Sequence, residues 1–309
     1  MTTNEVKIEQ GSEEWLKYRL RRITSTDVPA IVGYYSKDPE RKATLCKHKT
    51  AYQVWARLTG RYVPPSIESG GARRGHFGEE VACSMFESDQ NERIRRPIGV
   101  MQHPEHAWLC ASPDGIIDRI NQGVEVKSPL PETYWEWRDG TPLRHRIQAR
   151  VAMACGDFDS SLVLVGRDDI EFEVLERKDS FERTLVETCE RFLDEYVRPD
   201  REPDPYDFDA DAPVIDELLR RIDTAAVRLD ESAAEDVREF RRLRDLRLRT
   251  VKAEKAAKLK VAAFLKRHDA DVGVATDGSG VGYKVDARGV RKLVPLVKVK
   301  REDIRRIKR

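Results

Sequence analysis

The segment from Cys110 to Pro129, C-A-S-P-D-G-I-I-D-R-I-N-Q-G-V-E-V-K-S-P, constrains the fold of this chain more than any other. It reads as two short strands joined by a turn. Ser112-Pro113-Asp114-Gly115 starts the first strand, Asn121-Gln122-Gly123 carries the turn, and Val124 to Ser128 form the second. Alternate residues of a strand share a face, so Glu125 and Lys127 point the same way and Val126 points opposite. Asp114 stands at the mouth of the first strand, where pairing brings its carboxylate beside Glu125. Two carboxylates gathered at one sheet edge repel each other unless a divalent cation sits between them. Oxygen ligands of this kind suit Mg²⁺ or Mn²⁺ and not zinc.

A chain of 309 residues accommodates one sizeable domain plus an extension, or two domains. Its hydrophobic fraction of 39% can supply a core, while 36% charged residues make a wet surface. The net charge of +1 exerts no global pull on nucleic acid, so any DNA-binding surface must come from local segregation of charge. No apolar run approaches the ~18 residues of a membrane span. The opening residues M-T-T-N-E-V-K-I-E-Q lack the apolar stretch of a secretory signal, and a cytosolic protein is expected. The five cysteines are scattered without a C-x-x-C, which fits reduced, mostly buried thiols and argues against structural zinc. No internal repeat or low-complexity tract stands out.

Along the chain, Ser12 is placed to cap a helix with Glu13 and Glu14 in its first turn. Trp15, Leu16 and Leu20 form its apolar face, and Lys17, Arg19, Arg21 and Arg22 its basic one. Thr24-Ser25-Thr26-Asp27 is set to cap a second helix over Val28 to Val32, ended by Gly33. A helix N-terminus beside arginines is a ready phosphate site, although an ordinary helix with a solvated basic face fits the same residues. Tyr52, Val54, Trp55 and Leu58 predict a packing helix stopped at Gly60. Another helix is expected from Arg74, with Phe77, Val81, Ala82 and Phe86 inward. Its adjacent Glu79 and Glu80 lie about 100° apart, so only one can face a site. Ile94, Ile98, Val100 and Met101 read as strand, and His103 and His106 as a loop.

Tyr134, Trp135, Trp137, Arg138, Arg144, His145 and Arg146 form an aromatic and basic stretch, suited either to gripping a nucleic-acid backbone or to packing under a loop. Ile147, Val151 and Cys155 then share one face of a helix stopped at Gly156. Two strands, Ser161 to Val165 and Ile170 to Val174, precede a helix over 180–196. The Pro- and Asp-rich tract 198–213 reads as a linker. Beyond it, 214–309 is expected to hold a helical hairpin (Val214 to Leu229, Ala233 to Lys266) with an apolar seam of Val237, Phe240, Leu243 and Leu246. A β-hairpin from Gly273 to Val285 and a basic tail from Lys298 to Arg309 follow.

Pro113-Asp114 with Glu125-x-Lys127 resembles the PD-(D/E)xK nuclease core. S-P-D-G and E-V-K-S-P look like the matching strands of the YqaJ-type viral recombinase and lambda-exonuclease family. W-x-x-x-R-x-x-x-I-T-x-(S/T), from Trp15 to Thr26, resembles that family's opening signature, and Gly75 to Glu79 its G-x-x-x-E. Gln148 resembles the glutamine on the helix behind its metal site, but Arg150 stands where the family usually has a second glutamine. The resemblance implies an α/β, restriction-endonuclease-like core, a central mixed β-sheet flanked by helices, over 1–197, with the linker and C-terminal helical-hairpin extension appended. It implies a Mg²⁺- or Mn²⁺-dependent 5′→3′ exonuclease acting on double-stranded DNA ends and leaving 3′ single strands for recombination. Asp114, Glu125, the Val126 carbonyl and Glu79 would hold one or two ions, with Lys127 and Gln148 completing the catalytic set. Arg19 with Thr26 or Ser25 would bind the 5′-phosphate, and which hydroxyl does so is open. A single-strand annealing partner and a trimeric homo-oligomeric ring are further family expectations; no membrane partner is expected. A PD-(D/E)xK endonuclease or nickase, and a non-catalytic DNA-binding assembly protein, are the alternatives.

Overall fold

The computed structural model describes residues 4–64, 70–97, 99–166, 169–220, 229–275, 277, 279–285 and 290–296. In chain order the first half contains β1 (Glu5–Val6), α1 (Glu13–Leu20), β2 (Ile23–Thr24), α2 (Val28–Tyr35), α3 (Pro39–Cys46), α4 (Ala51–Leu58) and α5 (Gly70–Gln90). Then come β3 (Val100–Gln102), β4 (Leu109–Ala111), β5 (Gly115–Ile117), β6 (Gln122–Lys127), α6 (Leu143–Gly156), β7 (Ser160–Gly166), β8 (Ile170–Glu176), α7 (Asp179–Phe192) and α8 (Phe208–Leu219). After them follow α9 (Glu231–Arg267), β9 (Val272–Val274), β10 (Gly280–Val285) and β11 (Arg291–Leu296). Two compact units result, Met1–Asp223 and Thr224–Arg309.

The first unit is a mixed α/β fold, but its strands do not form one central sheet as expected. They form two four-stranded sheets, ordered β1-β3-β4-β2 and β5-β6-β7-β8. The chain crosses from one sheet to the other at Ser112-Pro113-Asp114, between β4 and β5, so the candidate carboxylate sits at the junction. β6 runs antiparallel to β5 and parallel to β7, with α6 as the crossover. The β5–β6 turn is a short helical turn over Asp118–Ile120 closed by Asn121 in a left-handed conformation (φ 46°), and β6 starts at Gln122, earlier than the sequence suggested. A backbone at that φ favours Asn over most residues.

The two faces of β6 meet different helices. Val124 and Val126 pack with Leu162, Leu164 and the Ala82, Cys83 and Phe86 side of α5. Ile147, Val151 and Cys155 of α6 join the larger core with Val163, Val165 and Phe158. On α5, Phe77 and Val81 face solvent, 71% and 43% exposed, contrary to expectation. The buried side is the one with small residues, because a close approach is needed there: a Cβ on Gly78 would come within 2.3 Å of Ser128 Oγ. All five cysteines are free and buried. Among the described residues no helix is long and apolar enough to cross a membrane.

Other elements also depart from expectation. α2 runs through Gly33 to Tyr35, and α6 ends on left-handed Asp157 (φ 53°) in place of a glycine stop. α8 begins inside the stretch read as a linker. Asp207 caps it by accepting from the Asp209 and Ala210 amides (3.0 and 3.1 Å). Buried Asp211 accepts from Thr50 Oγ1 and from the Tyr206 amide (3.2 Å), which ties α8 to the start of α4. In the second unit α9 is one helix of 37 residues, and the expected seam residues Val237, Phe240, Leu243 and Leu246 are exposed on it. Its sheet has a third strand, β11, paired antiparallel to β10. Ile98, residues 221–228 and the basic tail lie outside the described residues.

Phe158 gives a clean test of this packing. Its ring is fully buried against the backbones of Gly156 and Gly123, where an added Cβ would lie 2.2 and 2.7 Å from ring carbons. Helix propensity alone has Gly156→Ala stabilising by about 1 kcal/mol. The contact reverses the sign, and urea unfolding should show the variant less stable by about 1–3 kcal/mol.

Candidate active site

The β5–β6 ladder brings the acids together. The Asp114 amide donates to the Val124 carbonyl (2.9 Å), and the Val126 amide donates to Asp114 Oδ2 (2.7 Å). The Asp114 side chain thereby continues the ladder one step past the end of β5, alongside Glu125. Glu125 is buried, 3% exposed, on the α6 side of β6. Its Oε1 accepts hydrogen bonds from Lys127 Nζ and from Gln148 Nε2 of α6. Val126 turns its side chain to the α5 side, as period two requires. Glu79 is half-buried and close enough for its charge to act on both Asp114 and Lys127, whereas Glu80 is exposed.

Crowding shifts the ionisation of these groups. Burial, then the charges of Glu125 and Glu79, push the Asp114 carboxyl up to about 8, against the pull of Lys127 and the Val126 amide. Burial alone would lower the Lys127 pKa; the charges of Glu125, Asp114 and Glu79 overturn that and raise it. Lys127 is therefore an ammonium in this setting. It serves as a fixed positive charge rather than as a neutral base.

His145, read from the sequence only as part of the aromatic and basic stretch, is placed here by the fold. Its ring stacks on buried Trp137 (5.1 Å between centroids, 17° between planes). It lies one helical step (i, i+3) from Gln148 and hydrogen-bonds with it. Burial and the nearby cations Lys127 and Arg144 hold its pKa far below the imidazole range, so it is neutral. That spacing on one helix was the available signal. Within the aromatic and basic stretch, Trp137 belongs to the core and Trp135 is 62% exposed. Arg144 pairs with Glu136 (2.6 Å) and Arg146 with Glu173 (2.8 Å). Arg150 points away from the site, onto buried Glu182 (2.6 Å).

The N-terminal candidates are held by a second buried cluster. β2 pairs parallel to β4, with Thr24 opposite Cys110, so Ser25 and Thr26 follow a strand adjacent to the one leading to Asp114. Ser25 is buried and Thr26 exposed, with the Thr26 hydroxyl 2.9 Å from Thr24 Oγ1. Of the two, Thr26 presents its hydroxyl outward. Asp27 does not cap α2 with its side chain. Fully buried, it binds Lys49 (2.8 Å), Arg57 (2.7 Å) and Thr24 Oγ1 (2.6 Å). Burial opposes its ionisation, but Lys49 and Arg57 outweigh that and drive its pKa far down. Arg57 also donates to the carbonyls of Arg19, Leu20 and Arg22 at 2.6–3.0 Å, closing the end of α1.

That closure positions Arg19. Its guanidinium lies 4.0 Å from the centre of the Trp15 ring. Burial lowers its pKa, while Asp27, Cys110 and Glu125 are near enough to favour its charge. Among the described residues no carboxylate forms an ion pair with it. Trp15 Nε1 and Ser112 Oγ, one beside Arg19 and the other two residues before Asp114, are buried without hydrogen-bond partners. The open Trp15 donor, next to a guanidinium without a carboxylate partner among the described residues, suits an anionic ligand.

Among the described residues no three His, Cys, Asp or Glu side chains already converge as metal ligands. Asp114 is engaged by the Val126 amide, and Glu125 by Lys127 and Gln148. The donor chemistry nevertheless fits a hard divalent cation, since the groups crowded at the end of β6 are carboxylates and backbone carbonyls. The cost of ionising Asp114 beside Glu125 is the signature of a site that gains from added positive charge.

Residues 14–159 match the family model of the YqaJ-like viral recombinase domain. The match takes in every residue of the site described above except the Arg146 and Arg150 partners Glu173 and Glu182. The uncharacterized protein YqaJ of Bacillus subtilis (strain 168) is 27% identical over 131 residues, which cover 42% of this chain and 38% of that protein. The uncharacterized protein R354 of Acanthamoeba polyphaga mimivirus is 29% identical over 134 residues, covering 40% of this chain and 22% of that one. The matched region thus spans well under half the length of these relatives. Among solved structures, an alkaline exonuclease from Laribacter hongkongensis, LHK-Exo, aligns at 23% identity with a TM-score of 0.46, covering 68% of this chain and 97% of that one. The same exonuclease in complex with dAMP aligns at 25% identity with a TM-score of 0.48, covering 60% and 92%.

The ionisation of Asp114 makes a signed prediction for the metal-free protein. Between its ordinary value of 3.8 and about 8, the folded chain holds a proton that the unfolded chain has released. Stability from this group is therefore full below that window and lost as pH rises through it. In EDTA, Asp114→Asn should be more stable than the parent at pH 8.5 and gain little at pH 4. An equal gain at both values would mean that the carboxyl is not crowded.

Proposed function

We propose that the first unit is a divalent-metal-dependent deoxyribonuclease that digests duplex DNA from 5′ ends and leaves 3′ single strands. The observation that carries this reading is the convergence of Asp114, Glu125 and Lys127 at one end of β6, inside the region that matches the viral recombinase family model. Asp114, Glu125, the Val126 carbonyl and Glu79 would hold one or two Mg²⁺ or Mn²⁺ ions. A cation there supplies Lewis-acid polarisation of the scissile phosphate and stabilises developing negative charge.

The chain's own residues do the rest. Lys127, kept cationic by the acids around it, stabilises charge on the phosphoryl oxygens and orients the attacking water. Gln148, steadied by His145, fixes the rotamer of Glu125. Arg19 and Thr26 take a terminal 5′-phosphate, with the Trp15 indole N–H as a further donor. That clamp is the reason to assign activity to ends and polarity to 5′→3′. Assembly into a ring of identical subunits around DNA, and delivery of the product strand to a single-strand annealing protein, belong to the same proposal.

A linear duplex labelled at its 5′ or 3′ end and incubated with Mg²⁺ tests it. The 5′ label should be released first, EDTA should stop the reaction, and covalently closed circles should survive. Lys127→Ala should lower kcat by about 10²–10³-fold, and Arg19→Ala should raise KM for 5′-phosphorylated ends more than for 5′-hydroxyl ends. Circles cut as fast as linear duplex would replace the exonuclease by an endonuclease. A wild-type chain without metal-dependent cleavage would leave only a DNA-binding role.

A further inference from the structure

α9 carries a degenerate repeat of eleven residues. From Val237 the chain reads V-R-E-F-R-R-L-R-D-L-R, and eleven residues on, from Leu248, L-R-T-V-K-A-E-K-A-A-K. The interval places Leu248 and Leu259 in register with Val237, and Val251 with Phe240. It also sets basic on basic: Arg241 with Lys252, Arg244 with Lys255, Arg247 with Lys258. Eleven residues complete three turns of a slightly underwound helix, so the repeat stacks equivalent positions over one another. At about 100° per residue the six cations fall within an arc of about 140°. Along the axis they cover about 25 Å at 1.5 Å per residue.

All six are exposed, and among the described residues none forms an ion pair. The pairs that α9 does form lie in its first turns, Arg238 with Glu231 (2.7 Å) and Arg242 with Glu239 (2.6 Å). Between Arg241 and Arg267 the helix has only two acids, Asp245 and Glu254. Val237, Phe240, Leu248, Val251 and Leu259, all exposed, lie between the cations within the same arc, and Leu243, Leu246, Ala253, Ala257 and Phe264 sit on the far side.

We propose that this face of α9 binds the phosphodiester backbone of nucleic acid without regard to sequence, as a site separate from the acidic centre of the first unit. The near-neutral chain as a whole gives no such pull, whereas this stretch of α9 gathers cations with few acids among them. Two copies of the cationic row would repel each other, which disfavours self-association through it. A row of cations at successive turns is matched to a line of phosphates.

Binding of the full chain to a labelled duplex closed at both ends by hairpin loops, in EDTA, tests this without requiring ends or cleavage. The combined variant Lys252→Glu, Lys255→Glu, Lys258→Glu should bind at least 10-fold more weakly at 0.1 M salt. Its slope of log affinity against log salt should be shallower by about 2–3, at ~0.9 for each phosphate no longer neutralised. Circular dichroism should show α9 intact. A control with the same charge change on the first unit, Lys7→Glu, Arg41→Glu, Arg183→Glu, should retain most of the affinity. Equal losses in both triple variants would reduce the effect to net charge and overturn the site. So would unchanged binding by the α9 variant, or parental binding to phosphatidylserine vesicles but not to the duplex. Absence of nuclease activity would not touch the result.

Discussion

Three carboxylates and one ammonium are forced together where β6 ends, and that crowding organises the first unit. Glu125 cannot be buried as an ion unless Lys127 and Gln148 satisfy it. Lys127 cannot be buried as a cation unless the acids surround it. The ladder bond from the Val126 amide to Asp114 locks the third partner into the same small volume. Each group is tolerable only because the others are present. Such an arrangement is poor for stability, since ionising Asp114 is opposed by burial and by the two neighbouring acids, and the proposed cation would relieve that cost.

A second buried ion cluster serves the first. Asp27, held by Lys49, Arg57 and Thr24, fixes the loop between α1 and α2 against β4. Arg57 divides its donors between that carboxylate and the end of α1, so one guanidinium sets both the depth of the loop and the exit angle of the helix bearing Arg19. This is how a helix without a single buried residue can present Trp15 and Arg19 in a defined place. The loop's charges are paired below the surface, while Arg19 has no carboxylate partner among the described residues and the exposed Thr26 hydroxyl lies within hydrogen-bonding distance of Thr24 Oγ1.

The legible parts of this chain were those with one dominant local rule. Period two put Glu125 and Lys127 on one face of β6, and Ser12 capped α1 by accepting from the Trp15 amide. Where two rules competed, the sequence misled. α5 has two adjacent apolar stripes, and the bulkier one, Phe77 and Val81, was the natural choice for the core. The sheet took the smaller one, since Gly78 and Ala82 let the helix come close to Ser128 and Gly166. Pro and Asp density argued for a linker at 198–213, yet Asp207 is a cap and Asp211 a buried acceptor for Thr50. Aspartate reads as loop until its partners are known. Asp27 and Arg150 were opaque for the same reason: Lys49, Arg57 and Glu182, which hold them, lie on elements distant in sequence, whereas His145 offered only its i, i+3 spacing from Gln148.

The two units manage charge in opposite ways, and the difference separates their tasks. In the first, acids and bases are interleaved and largely paired; even Arg150, at a position suggestive of the substrate side, is spent on Glu182. Around the N-terminal candidates, the Arg19 guanidinium has no carboxylate partner among the described residues and the buried Trp15 indole N–H has no acceptor. As a proposed 5′-phosphate site it would discriminate, because an anion must fit several fixed groups at once. On α9, Arg238 and Arg242 are paired, but the six repeated cations lack ion-pair partners among the described residues and have few acids to oppose them. A surface of that kind holds a polyanion in many registers and selects none of them. A chain whose total charge is nearly zero can therefore hold both a unit whose charges are largely paired and a helix along which many are not, and the two proposed anion sites differ in just this way.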